Sequence, residues 1–181
     1  METINLGKLS FIPFVEEPEL VAATVKDLIE KNNLADKVWV SKIDPGLADT
    51  AAFCEHYEIG MDVAANCVIV EASRAERSWY AVCLVLATTR ADINGVVRRK
   101  LDARRASFAP METAVSLTKM EYGGITPIGL PEEWPILIDE AVCKQERVIV
   151  GSGIRGSKLL VATSLFTELP NAEILPITKT E

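Results

Sequence analysis

Histidine is almost missing from this chain: His56 stands alone among 181 residues. A Ser–His–Asp or Cys–His catalyst would have to run through that one side chain, because the nucleophile's proton needs an acceptor of suitable pKa. His56 lies mid-helix between Glu55 and Tyr57, where a surface or half-buried structural histidine is the simpler reading. Cysteine is sparse as well. Cys54, Cys67, Cys83 and Cys143 are widely spaced and form no Cys-x-x-Cys pair, so neither a zinc site nor a redox dithiol is predicted. Buried free thiols in a reducing cytoplasm fit better. No histidine-rich or carboxylate-rich cluster suggests a metal.

An excess of positive charge is also lacking. The net charge of −7 excludes a protein that coats nucleic acid by bulk attraction, and leaves room only for a local basic patch. No apolar run reaches membrane-spanning length; the longest, Trp79 to Ala87, is strand-sized. The first residues carry glutamates rather than a basic segment ahead of an apolar core, so no secretory signal is expected.

What is present reads as a globular domain. Hydrophobic residues make up 49% and charged residues 25%, and the length suits one domain with a substantial core. Glu17-Pro18-Glu19 opens a helix that carries Leu20, Val21, Val25, Leu28 and Ile29, and Asn32-Asn33 closes it. A short strand follows over Lys37 to Ile43. Asp49 caps a second helix, for which Gly60 is the expected stop. Cys67 to Val70 and Trp79 to Ala87 read as a hairpin buried on both faces, with Ser73 to Ser78 between its strands. Ile93, Val96, Val97 and Leu101 recur at helical spacing, and Pro110 starts another helix that ends at Gly123. Short strands are predicted at Ile136 to Asp139, Arg147 to Val150, Lys158 to Ala162 and Glu173 to Ile177, with a helical turn over Thr163 to Leu169. Without regular β–α alternation, the order predicts an α+β domain with a mixed, largely antiparallel sheet.

Four features carry candidate chemistry. Tyr122 to Pro131 holds three glycines and two prolines, yet keeps Tyr122, Ile125, Ile128 and Leu130. Such a stretch sustains neither a helix nor a central strand. It is either a shaped pocket-lining loop or a rigid connector. Gly151-Ser-Gly-Ile-Arg-Gly156 spells the dinucleotide fingerprint, but a strand rather than a helix follows it, so a tight β-turn projecting Arg155 is predicted. Arg98, Arg99, Lys100, Arg104 and Arg105 place five of the 19 basic residues within eight positions, with Arg90 just upstream. They form either a phosphate-tracking patch or the solvated face of a helix. Asp139 ends a strand, placed either to project into a cleft or to cap a turn.

Taken as an ordered set, these features resemble the YbaK/prolyl-tRNA synthetase-associated domain family. The set comprises the Phe53–Tyr57 helix, Ala64-Ala65-Asn66 before Cys67, the Gly123-Gly-Ile-Thr-Pro127 loop, the Asp139 strand end and the Gly151/Gly153 turn. The resemblance covers roughly Asp49 to Ile174. It implies a barrel-like α+β domain over residues 1–181 with surrounding helices, acting in the cytoplasm as a trans-acting aminoacyl-tRNA deacylase. It further implies no cofactor, metal or membrane, the aminoacyl-tRNA acceptor end as partner, and a monomer or homodimer. Carried over by position, the catalytic set is Asn66, Gly123, Gly124, Thr126 and Asp139. Ile125, Pro127, Gly151, Ser152, Gly153 and Arg155 fall in the substrate site, and Arg98, Arg99 and Arg104 against tRNA phosphates. One position departs: Asn66 stands where the family has lysine, and an amide brings no positive charge. That leaves three alternatives. Arg155 or Lys158 substitutes for the lysine, or the protein is an attenuated or inactive member that binds aminoacyl-tRNA or a related small ligand, or the pocket serves a different substrate, another ester or amide.

Overall fold

Two five-stranded sheets carry the chain in this computed structural model, which describes residues 1–179. The elements run β1 (Ile4–Leu6), β2 (Leu9–Pro13), α1 (Ala23–Lys31), β3 (Val38–Lys42), α2 (Thr50–Tyr57), β4 (Ala65–Arg74) and β5 (Arg77–Leu86). There follow α3 (Arg98–Lys100), β6 (Arg105–Phe108), α4 (Met111–Thr118), β7 (Ile136–Asp139), α5 (Glu140–Cys143), β8 (Arg147–Gly151), β9 (Ser157–Ala162) and β10 (Ala172–Leu175). The first sheet is ordered β1-β2-β3-β9-β8 and is antiparallel throughout. The second is ordered β10-β7-β5-β4-β6, with β7 parallel to both its neighbours and the other pairs antiparallel. A parallel bridge between Ala64 and Ile149 joins the two at the start of β4. This is the mixed, largely antiparallel α+β architecture that the sequence predicts.

The period of two along each strand sorts its side chains between layers. Val38 and Val40 of β3, Leu159 and Val161 of β9, Leu84 of β5 and Ile138 of β7 fill the main core, together with Val25 and Ile29 of α1. The opposite faces are covered too. Trp39, Ile149 and Leu160 pack with Phe53 of α2, whereas Val70, Val85 and Leu137 pack with Ile93 and Val97. Strands β3, β7, β8, β9 and the C-terminal half of β5 are therefore buried on both faces, which explains why they read as continuous apolar runs rather than alternating ones.

Several boundaries differ from expectation. The residues after Glu17 form a single tight turn, Pro18–Leu20, and α1 begins only at Ala23. α2 closes at Glu58, which takes the left-handed conformation (φ 55°), so Gly60 is not its stop. α4 likewise ends at Lys119, not at Gly123. The β4–β5 hairpin extends through the polar residues to a turn at Ala75 and Glu76, because ladder hydrogen bonds continue where apolar side chains stop. The Ile93–Leu101 pattern begins with a π-turn over Ile93–Val97, tied down by Asp92, whose carboxylate accepts from Gly95 and Val96 N–H. The last strand, β10, is Ala172–Leu175.

Candidate active site

Asp49 accepts hydrogen bonds from the N–H groups of Ala51 and Ala52, and so starts α2. The residues on either side of this cap each hold a polar side chain from a different sheet. The Ala48 carbonyl accepts from Lys158 Nζ at 3.0 Å, and Thr50 Oγ1 donates to Asn66 Oδ1 at 2.6 Å. Lys158 lies on β9, opposite Ser41 on one side and Gly151 on the other. The strand alternation places it on the same face as Leu160, towards α2, with Nζ 5.4 Å from the centre of the Phe53 ring. Asn66 lies near the start of β4, beside the seam between the sheets.

These residues line a cavity of about 430 Å³. Its walls are Gly46, Ala48, Asp49 and Thr50 at the start of α2, Ala65–Val68 on β4, Met111, Tyr122, Gly123 and Ile125 of the loop, and Gly151, Arg155 and Lys158. The glycine at 151 leaves room beside Lys158, and it also admits the loop. A Cβ built at Gly151 would lie 2.4 Å from the Gly124 oxygen and 2.7 Å from that of Ile125. The Gly124 carbonyl accepts the Gly153 N–H at 2.7 Å, which fastens the loop to the β8–β9 turn. Arg155 closes the rim. Its two terminal nitrogens donate to the carbonyls of Tyr122 and Pro45, each at 2.9 Å, and its guanidinium stands 5.6 Å from the Tyr122 ring centre.

The electrostatics single out Lys158. It is 6% exposed, and no carboxylate among the described residues lies within ion-pair distance of it. Burial lowers its pKa from 10.5 to about 8, aided by the charge of Arg155 and opposed by Cys54 and Asp49. Cys67 shares the cavity wall, but burial pushes its thiol far up, so it is no ready nucleophile.

The sequence-derived site residues fall into three groups. Asn66, Gly123, Ile125, Gly151 and Arg155 meet at the cavity. Gly124, Ser152 and Gly153 lie behind it and hold its wall; Ser152 Oγ accepts from Ser157 Oγ at 2.7 Å and is itself buried. Thr126, Pro127 and Asp139 do not line this cavity. Thr126 is fully buried, and its hydroxyl has no partner among the described residues. Pro127 lines a separate hollow with Gly129, Leu130 and Thr24. The Asp139 carboxylate accepts from Ala141 N at 3.1 Å and Ile177 N at 2.9 Å, capping α5 and securing the chain after β10. Arg98 is half-buried and donates to the Asn94 carbonyl, whereas Arg99 and Arg104 are exposed; none of the three borders the cavity. His56 is exposed on α2 and stacks edge-on with Tyr57 at 4.8 Å.

Sequence reasoning named Lys158 only as one of two stand-ins for a missing cation. A stronger signal was available: a lysine inside a strand otherwise apolar on both faces must be accounted for. A second cavity of about 440 Å³ shares Asn66 and Val68 with the first and is bordered by Arg90, Asn94, Phe108 and Lys179. Arg90 entered the sequence reading only as a neighbour of the basic cluster.

Comparison with known proteins adds to this geometry. The family model described as an aminoacyl-tRNA editing domain matches residues 44–169. A search of curated proteins finds no match. Among solved structures, a candidate trans-editing enzyme for prolyl tRNA synthetase is 14% identical, with a TM-score of 0.74 over 88% of this chain and 99% of that one. A hypothetical protein is 16% identical, with a TM-score of 0.75 over 86% of this chain and 99% of that one. A candidate signal transduction protein from Marinobacter aquaeolei VT8 is 16% identical, with a TM-score of 0.59 over 88% of this chain but only 31% of its own. At these identities the structural likenesses establish the fold.

Proposed function

The chain belongs to the aminoacyl-tRNA editing domain family, and from that premise we propose that it is a trans-acting deacylase that hydrolyses the ester of mischarged tRNA. The observation that carries this reading is the cavity itself. A rigid Gly/Pro loop forms one wall, and hydrogen-bond donors from two sheets converge on the other. Ester hydrolysis needs no protein nucleophile where backbone groups orient the water and fixed donors face the developing charge. Within the Gly123–Pro127 loop, the backbone at Gly123 and Ile125 faces the cavity and positions that water, and Ile125 limits the size of the side chain admitted. Editing requires such a sieve, because a binding pocket discriminates one methylene by only about 1–3 kcal/mol.

The 3′-terminal ribose sits at Asn66, where the two cavities meet. The acceptor strand then follows the second cavity, so that Arg90 and Lys179 neutralise its phosphates, with Arg99 and Arg104 further along. Asp139 acts from a distance, by fixing the sheet edge through its two backbone contacts. Deacylation measured across a panel of mischarged tRNAs tests the reading. Turnover of at least one member is expected, and none at high protein concentration overturns it.

A second reading rests on Asn66, whose amide oxygen is already engaged by Thr50. In that reading the protein binds aminoacyl-tRNA but turns it over weakly. Asn66→Lys separates the two: a large gain in hydrolysis marks the native chain as attenuated, whereas a loss marks the amide as a working part.

A further inference from the structure

Lys158 is the single buried lysine among the described residues, and it faces a cavity rather than a counter-ion. Burying an ammonium without a paired carboxylate is costly, and the Ala48 carbonyl and Phe53 ring compensate only in part. Asp49 lines the same cavity, but its carboxylate is committed to the α2 cap. Two of the three ammonium hydrogens thus remain for something that occupies the cavity. Asn66 is arranged in the same sense. With Oδ1 turned to Thr50, the Nδ2 hydrogens are left free, with no acceptor among the described residues. One short segment, Ala48 to Thr50, holds both groups through adjacent contacts.

We propose that Lys158 Nζ and Asn66 Nδ2 form a two-donor site for the negative charge that develops on the ester carbonyl oxygen. The inference rests on the deacylase reading and deepens it. The water oxygen bonds to the carbonyl carbon, and the C=O π pair moves onto oxygen, where the two donors face it. On collapse that pair re-forms the double bond and the C–O3′ bond breaks. The water-derived proton ends on the ribose oxygen, and the released acid ionises to a carboxylate. Lys158 sits too deep for a diester phosphate, which is tethered to the chain on both sides and stays at the rim. A small oxyanion reaches it.

Binding tests this without requiring turnover. The probes are adenosine 3′-O-(α-aminoalkyl)phosphonates, anionic and tetrahedral, and the matching neutral 3′-aminoacylamides of 3′-amino-3′-deoxyadenosine, each with alanyl, seryl and aspartyl side chains. By calorimetry at pH 7, the native protein binds the phosphonate at least tenfold more tightly than the amide. In Lys158→Met, which keeps the side-chain volume, the two bind within twofold of each other. Thermal melting confirms that the variant is folded. An unchanged phosphonate preference in Lys158→Met overturns the inference, as does failure of the native protein to bind any phosphonate. A Lys158 effect confined to the aspartyl probes also overturns it, because the lysine would then read a side-chain carboxylate. Native protein that prefers the phosphonate but hydrolyses no tRNA sinks the deacylase reading and leaves the oxyanion site standing.

Discussion

Thr50 donates its hydroxyl to Asn66 Oδ1 at 2.6 Å, and this contact fixes which end of the amide faces the cavity. Thr50→Val keeps the shape of the residue but frees the amide to rotate. Single-turnover deacylation should fall about tenfold with little change in substrate affinity, and melting should shift by no more than about 1 kcal/mol. A rate equal to that of the native protein would show that Asn66 needs no such orientation.

Gly151 tests the wall behind the loop. The atoms that an added Cβ would meet are the backbone oxygens of Gly124 and Ile125, which no side-chain rotation can move aside. Gly151→Ala should therefore cost about 1–3 kcal/mol in urea unfolding and displace the loop, abolishing turnover even where the protein remains folded. Native stability with native turnover would contradict the close docking of loop and turn.

Most of the fold was legible because the middle of each sheet is covered on both faces, so that β4, β5, β7, β8 and β9 announce themselves as apolar runs. The short strands β6, β1 and β2 were not. β6 exposes Arg105, Ser107 and Phe108, and its basic residues read instead as part of a charged cluster. β1 and β2 are short and join at a tight turn through Gly7, which takes φ 54°. At the site, the loop and the glycine turn were each visible, but their contact through Gly124 and Gly153 spans distant parts of the chain. Asp139 illustrates the opposite failure. A carboxylate at a strand end reads equally as a cleft acid or a cap, and only its two backbone partners show that it caps.

Lys158 should leave a mark on stability against pH. Its ordinary pKa is 10.5 and its native one about 8, so below pH 8 it is charged in both states. Between these values the unfolded chain keeps a proton that the native form has lost, and stability rises with pH by up to roughly 3 kcal/mol. Cys67 and Cys83 act in the opposite direction: burial raises both above 9.0, Cys83 to about 12, so above pH 9 the unfolded thiols ionise first and stability falls. Subtracting the Lys158→Met profile isolates the lysine. The variant should be the more stable at pH 7, and the difference should shrink from pH 8 upward. A pH-independent difference would contradict the lowered pKa.

Arg90 and Lys179 border the second cavity together with Asn66. The double variant Arg90→Ala/Lys179→Ala should raise KM for tRNA substrates with kcat nearly unchanged, and should flatten the salt dependence of binding by about two counterions. Hydrolysis of a short aminoacyl-adenosine ester, which lacks those phosphates, should not change. An equal effect on both substrates would place these cations elsewhere in the mechanism.

Hydrolysis at the cavity beside Asn66 is tested by the release of labelled amino acid from mischarged tRNA, compared between the native protein and Asn66→Ala. The native protein should turn over at least one mischarged tRNA, and the variant should lose about 100-fold or more in kcat, with KM changed by less than about threefold. Equal release by both proteins, or none by either, would contradict it.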